Sequence, residues 1–205
     1  MLLDLKLMKE RHNLQISGVI HVGAHFGEEH DTYLDMGIND IVYFEPVNKT
    51  FKILEERIKG VPLYNYALGS EETTTIMYVE DEDKFGCSSI LEPSDNYIGH
   101  AKFSEKQEVK VKTLDSFGFS NLNFLNIDVQ GYELEVLKGS IETLKSVNYI
   151  MCEVHRNIEQ KNLDYINSPV IEDIINFLNP YGFELVDVDW AGISWGDAFF
   201  IKKNI

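Results

Sequence analysis

Short apolar runs, separated by stretches whose apolar positions recur every three or four residues, set the rhythm of the first third of the chain. Val19-Ile20-His21-Val22 and Ile41-Val42-Tyr43-Phe44 have the length of buried strands. Between them, residues from about Gly27 to Gly37 are patterned as a helix with Phe26, His30, Tyr33 and Leu34 on one side, and Gly37 suits the C′ position. Val47, Phe51, Leu54 and Ile58 predict a second helix stopping at Gly60, and residues 61–68 a third strand. This βαβαβ order is half of a doubly wound sheet. Ahead of it, Leu2, Leu3, Leu5, Leu7 and Met8 stand among charges and predict a short amphipathic helix over residues 2–11.

The pattern then changes. Residues 73–79 are β-branched and aromatic, and residues 109–114 alternate apolar with polar, so both read as further strands. The polar stretch 80–108 between them, punctuated by Gly86, Pro93 and Gly99, is either a lid over an acceptor site or a surface excursion. Residues 122–128 and 147–153 are the fourth and fifth main strands, each ending in a carboxylate, Asp128 and Glu153. A short helix over 131–138 lies between them. Ser168-Pro169 reads as N-cap and N1 of a helix that buries Val170, Ile171, Ile174, Ile175 and Leu178 and stops at Asn179-Pro180. Residues 183–188 and 198–201, joined through a turn with Gly192 and Gly196, should pair antiparallel. One domain is expected over residues 1–205, with a loop and β insertion at about 73–113.

Composition narrows the partners. With 18 basic and 34 acidic side chains the formal charge is −16, which repels a nucleic-acid backbone or an anionic membrane surface. Asp4, Lys6, Lys9 and Glu10 interrupt the apolar start, and no run approaches the ~18 apolar residues of a membrane span, so a cytoplasmic protein is expected. Cys87 and Cys152 are far apart and match no metal or redox spacing, which makes reduced thiols the expectation.

The chemistry concentrates where the first strand turns. Gly23 and Gly27 allow a sharp bend and close approach of a ligand to bare backbone, and Glu45 lies about 20 residues beyond Gly23, where a carboxylate takes both hydroxyls of a ribose. Gly-x-x-x-Gly lacks the middle glycine of a dinucleotide fingerprint. Glu28, Glu29 and Asp31 at the next helix start oppose a pyrophosphate there. S-adenosylmethionine, which has a ribose, an adenine, a sulfonium and no phosphate, suits this edge. Asp128 and Glu153 reach the same C-terminal sheet edge, with His155 two residues further on. Transfer of a methyl group to a hydroxyl needs a base, and His155 and Asp128 compete for that role. Asp128 and Glu153 could instead share a divalent cation, a reading not favoured because two oxygen ligands do not specify a site. His21, His25 and His30 lack zinc spacing and read as pocket wall or packing.

In family order, several motifs resemble those of FkbM methyltransferases over about residues 17–156. His21-Val22-Gly23-Ala24-His25-Phe26-Gly27 is similar to Asp-x-Gly-Ala-Asn-x-Gly, Phe44-Glu45-Pro46 to Phe-Glu-Pro, and Asn65-Tyr66-Ala67-Leu68-Gly69 to Asn-x-Ala-Leu-Gly. Ser88-Ser89-Ile90-Leu91 resembles the family's serine-containing loop, Val111-Lys112-Thr113-Leu114-Asp115 its Val-x-Thr-Leu-Asp, and Ile127-Asp128-Val129-Gln130-Gly131 its Ile-Asp-Val-Glu-Gly. His21, His25 and Gln130 depart from the pattern, standing for Asp, Asn and Glu.

The resemblance implies a Rossmann-like class I methyltransferase fold, a mostly parallel seven-stranded α/β sheet with an antiparallel C-terminal hairpin and helices on both faces. It implies S-adenosylmethionine-dependent O-methylation of a sugar or natural-product-like hydroxyl, a small-molecule or carbohydrate acceptor. Donor binding would fall to His21, Gly23, Ala24, His25, Gly27, Glu45, Pro46, Asn65, Ala67, Leu68 and Asp128, with Asn65, Ala67 and Leu68 near the adenine. Catalysis would fall to Asp128, His155 and Glu153. The alternatives are a noncatalytic nucleotide- or sugar-binding module of the same fold and an NAD-dependent oxidoreductase, which requires a pyrophosphate at the acidic helix start.

Overall fold

The computed structural model describes residues 2–82, 86–95, 101–156, 164–192 and 194–203. In chain order come α1 (Leu5–His12), β1 (Val19–Val22), α2 (His30–Asp35), β2 (Ile41–Phe44), α3 (Asn48–Arg57), β3 (Leu63–Tyr64) and β4 (Ala67–Leu68). They are followed by β5 (Thr73–Val79), β6 (Glu105–Lys112), β7 (Phe124–Ile127), α4 (Glu133–Lys138), β8 (Tyr149–His155), α5 (Ile171–Leu178), β9 (Phe183–Ala191) and β10 (Trp195–Lys202).

A seven-stranded sheet has the order β3-β2-β1-β7-β8-β10-β9. β1 runs parallel to both β2 and β7, and β7 parallel to β8. Of the seven strands β10 reverses, lying antiparallel to both of its neighbours, β8 and β9. All residues of β1, β2 and β7 are buried, as parallel strands covered on both faces must be. Alternation along β1 divides two cores. Ile20 and Val22 join Val42, Phe44 and the helical residues Val136, Leu137, Ile174 and Leu178. Val19 joins Ile41, Tyr43, Leu5, Met8, Tyr33 and Leu54 on the opposite face. At roughly 1.5–3 kcal/mol for each fully buried large apolar side chain, these layers fix the strand ends that build the site.

Several boundaries differ from those expected. The third strand is two strands: β3 pairs with β2, whereas β4 pairs with β6 in a separate three-stranded sheet of order β4-β6-β5. The break falls at Asn65, whose side-chain amide donates to the main-chain oxygens of Glu45 (2.9 Å) and Pro46 (3.2 Å) and turns the chain out of the main sheet. The helix expected from Gly27 begins only at His30, because Gly27 adopts a left-handed conformation, φ 72°, where a β-carbon would lie 2.4 Å from the Ile58 side chain and 2.9 Å from that of Leu54. Leu34 consequently lies exposed rather than beside Tyr33 in the core.

The fifth main strand passes Glu153 and continues to His155. Ser168 does not cap the following helix. α5 starts at Ile171, where Asp173 accepts the Val170 amide at 3.0 Å. Gly196 belongs to β10 rather than to the turn, where a β-carbon would lie 2.2 Å from the Asp189 carbonyl oxygen. Of the expected lid, residues 83–85 and 96–100 lie outside the described residues. No helix among the described residues is long and apolar enough to cross a membrane.

Candidate active site

Three adjacent strands, β2, β1 and β7, end at the same level, and each is followed at once by a residue with chemical potential: Glu45, Gly23 and Asp128. The chain can leave β1 only through glycine. Gly23 has φ 79°, and a β-carbon there would lie 1.7 Å from the Asp128 carbonyl oxygen. The amides of Gly23 and Ala24 both donate to the Phe44 carbonyl, at 2.9 and 3.0 Å, which ties the bend to the end of β2. His25 follows with φ 47°.

Glu45 is almost fully buried at 5% exposure, yet both of its oxygens accept backbone amides: Oε2 from His25 at 3.0 Å and Oε1 from Val47 at 2.8 Å. The carboxylate thus clamps the β1 turn to the start of α3. A carboxylate is an acceptor-only group able to take several hydrogen bonds at once, which is the property a ribose diol needs.

A cavity of about 270 Å³ opens at these strand ends. One wall is backbone and acid: Gly23, Ala24, His25, Glu28, Glu29 and Glu45. Another is apolar, from Val47, Ala67, Leu68 and Met77, with Tyr66 and Tyr132 beside them. Gly86, Ser88 and Ile90 come from the segment after β5, and Asp128, Val129 and Gln130 from the end of β7. Burial pushes the Glu28 carboxyl up, but the hydrogen bond from His25 Nδ1 at 2.7 Å and the nearby Arg57 outweigh it and hold Glu28 below the usual carboxylate range.

Behind Asp128 lies a second set of acids. Gln130, with φ 57°, donates its side-chain amide to Asp128 Oδ1 at 2.7 Å and to Glu153 Oε2 at 2.5 Å. The Tyr165 hydroxyl donates to Gln130 Oε1 at 3.3 Å. Burial, then the charges of Asp128 and Glu133, push the Glu153 carboxyl far above its ordinary value. Glu133 is buried at the start of α4, accepts the amides of Val129 (3.2 Å) and Gly131 (3.1 Å), and is pushed up to about 7, chiefly by burial. His155 lies 3.9 Å from Glu153 Oε1 through Nε2 and 3.4 Å from Ser168 Oγ through Nδ1, and burial lowers its pKa.

Of the expected donor-binding residues, His21, Gly23, Ala24, His25, Glu45, Pro46, Ala67, Leu68 and Asp128 line the cavity. Gly27 and Asn65 lie outside its lining and shape it through the turn and the β3–β4 break. His21 is nearly enclosed, with Nδ1 3.2 Å from the Tyr33 hydroxyl and Nε2 3.2 Å from the Asn126 amide, and burial lowers its pKa. Of the expected catalytic residues, Asp128 reaches the cavity, whereas Glu153 and His155 stand behind it. No group of three or more His, Cys, Asp or Glu side chains among the described residues is arranged to hold a metal ion. Thr50, Met77 and Tyr132 complete the lining without having been anticipated. Met77 arrives from the separate small sheet, and its place in the β-branched and aromatic run of residues 73–79 marked a strand but not a site.

The Methyltransferase FkbM domain family matches residues 21–185. A curated relative, the hexuronic acid methyltransferase AglP of Haloferax volcanii, is 28% identical over 169 residues, covering 71% of this chain and 64% of its own. A crystal structure of the methyltransferase FkbM from Methylobacillus flagellatus KT superposes with a TM-score of 0.62 at 13% identity, over 93% of this chain and 46% of that one. Magnesium protoporphyrin IX methyltransferase from Synechocystis PCC 6803, crystallised with S-adenosylhomocysteine, gives 0.55 at 7% identity, over 97% and 79%. The fold is therefore that of Rossmann-like methyltransferases, and the chain spans less than two thirds of the length of the curated relative and under half of the FkbM structure.

Proposed function

Because the chain belongs to the FkbM methyltransferase family, we propose that it transfers a methyl group from S-adenosylmethionine to a hydroxyl oxygen of a sugar-like acceptor. The observation that carries this reading is the Gly23–Glu45–Asp128 edge: a glycine bend with no room for a side chain, a buried carboxylate at the end of the strand on one side of it, and a second carboxylate at the end of the strand on the other, all lining one cavity. These residues fit the donor. Glu45 would take the ribose hydroxyls, the backbone from Gly23 to His25 would meet the methionine portion, and Ala67, Leu68, Val47 and Met77 would enclose the adenine. S-adenosylmethionine supplies an electrophilic methyl group on a sulfonium.

Asp128 is the base in this reading, since it alone of Asp128, Glu153 and His155 lines the cavity. Gln130 acts through it, holding its carboxylate by a hydrogen bond to Oδ1. Glu153 and His155 become positioning residues at the far side of Gln130. Holding the acceptor oxygen in line for attack supplies much of the rate in such transfers. The name of the Haloferax relative supports a sugar acceptor.

Calorimetry with S-adenosylmethionine, followed by transfer of a labelled methyl group to hydroxylated sugars, tests the proposal. Binding and turnover are expected in the wild type, and Asp128→Asn should retain the first while losing the second. Absence of donor binding to the wild type would defeat it.

A further inference from the structure

Gln130 holds Asp128 through a side-chain amide 2.7 Å from Oδ1, and it does so from a backbone conformation that a glutamine rarely adopts, φ 57°. Left to itself, such a residue returns to the right-handed side and carries its amide away. Two hydroxyls reach Gln130, and they are not equal. Ser89 is fully enclosed and donates from Oγ to the Gln130 main-chain oxygen at 2.7 Å. The same Oγ accepts the Leu91 amide at 3.0 Å, and since an amide N–H can only donate, the one hydroxyl proton is left for Gln130. The Tyr165 hydroxyl also has one proton, but it faces two acceptors, the Cys87 carbonyl at 2.5 Å and Gln130 Oε1 at 3.3 Å, and the nearer takes the larger share. Ser89 is firmly anchored as well. Its own amide and carbonyl pair with Tyr78 of β5 at 3.0 and 2.8 Å, which fixes it to the edge of the three-stranded sheet. Ser88 lines the cavity and Ser89 does not, so the Ser89 hydroxyl serves the turn rather than a ligand.

We propose that Ser89 is a positioning residue for methyl transfer: mounted on the small sheet, its hydroxyl holds Gln130 in the left-handed turn that aims the Gln130 amide at Asp128. The proposal rests on Asp128 as the base. It gives the separate sheet a part in the reaction beyond supplying Met77 to the cavity wall. Without the hydroxyl, the Gln130 carbonyl loses its donor, the turn relaxes, and Asp128 is no longer held in line with the acceptor oxygen. Ser89 meets neither donor nor acceptor, so its effect falls on turnover and not on donor affinity.

Calorimetry of the full chain with S-adenosylmethionine, and turnover of a labelled methyl group on a mixture of glucose, glucosamine and glucuronic acid, separate these effects. Ser89→Ala should lower turnover by about ten- to a hundredfold, the scale of a misplaced catalytic group, and leave donor affinity unchanged. Ser89→Cys, nearly the same size with a much weaker donor, should show a loss of the same kind and keeps the test decisive where the alanine variant does not fold. In a Gln130→Ala background either substitution should change turnover by less than about twofold, because the amide that Ser89 positions is already gone. A role confined to holding the fold would lower turnover by the same factor in both backgrounds. That result overturns the proposal and leaves Asp128 as base, as does wild-type turnover in Ser89→Cys or a parallel loss of donor affinity. A wild type that binds the donor and methylates none of the three sugars removes the base assignment and this proposal together.

Discussion

The acids that line the cavity and the acids packed behind it share one sheet edge, and the protein treats them differently. In front, Glu28 is held below the usual carboxylate range by His25 and Arg57 once burial is overcome, and Glu45 rests on two backbone amides. Behind, burial pushes up Glu133, Glu153 and Asp197, and each raises or meets the field of another acid. Asp197 lies on β10 beside the chain start, where it accepts the amides of Leu2 and Leu3. The difference is one of burial and acidic neighbours rather than of backbone partners: Glu133 and Asp197 also accept two backbone amides each, yet burial, joined by the charge of Asp128, outweighs them.

The largest effect expected from separating the two sets is on turnover. Asp128→Asn keeps the shape of the side chain and removes the base, so methyl transfer should fall by about 10²–10⁴-fold, the usual contribution of a positioned base. Donor affinity should change little. A parallel loss of donor affinity, read by calorimetry, would move Asp128 from the acceptor side to the donor side.

Next comes the buried set itself. Glu133 has a folded pKa of about 7 against an ordinary 4.5, so the unfolded chain gives up this proton first. The stability associated with neutral Glu133 is therefore complete below pH 4.5 and lost as the pH rises to about 7. The difference is on the order of 3 kcal/mol. Glu133→Gln mimics the protonated side chain and should flatten this part of the pH dependence, measured by urea unfolding of wild type and variant across that interval. Identical slopes in the two proteins would place a charged carboxylate behind the wall and erase the contrast.

Glu45→Ala follows in size. It removes a charged ligand for the ribose and leaves the His25 and Val47 amides without their acceptor. Hydrogen bonds to charged groups contribute roughly 1.5–3 kcal/mol, or a loss of about ten- to a hundredfold in donor affinity. Thermal denaturation should register the lost clamp as well.

The front of the site was legible in the sequence and the back was not, for a physical reason. Gly23, Glu45 and Asp128 each immediately follow a buried apolar run, and a strand end puts the next residue at the sheet edge whatever the rest of the chain does. The roles of Glu153 and His155 depended on where β8 stops. Its apolar pattern fades at Glu153, but pairing with β10, from Trp195 opposite His155 onward, extends it by two residues and encloses both side chains. Likewise residues 61–68 read as one strand, since nothing local announces that the Asn65 amide will bond back to Glu45 and Pro46 and send Ala67-Leu68 into another sheet. Long-range pairing, not propensity, decided each of these.

The smallest effect bears on the acceptor. If the wall carries the negative charge and the acids behind it do not, an acceptor is judged mainly by the charge it brings against Glu28, Glu29 and Asp128. Glucose, glucosamine and glucuronic acid share a ring and differ in one substituent each, and offered together with donor they compete on equal terms. The neutral and amino sugars should be methylated about tenfold faster than the uronate, a difference of about 1.4 kcal/mol in kcat/KM. Glu28→Gln/Glu29→Gln should compress that preference without reversing it, because Asp128 remains. Preferential methylation of the uronate would mean that an anion finds a cation at this site, bringing the chain close to the chemistry named for its Haloferax relative. The contrast between the two sets of acids would then describe how the protein is held together rather than what it selects.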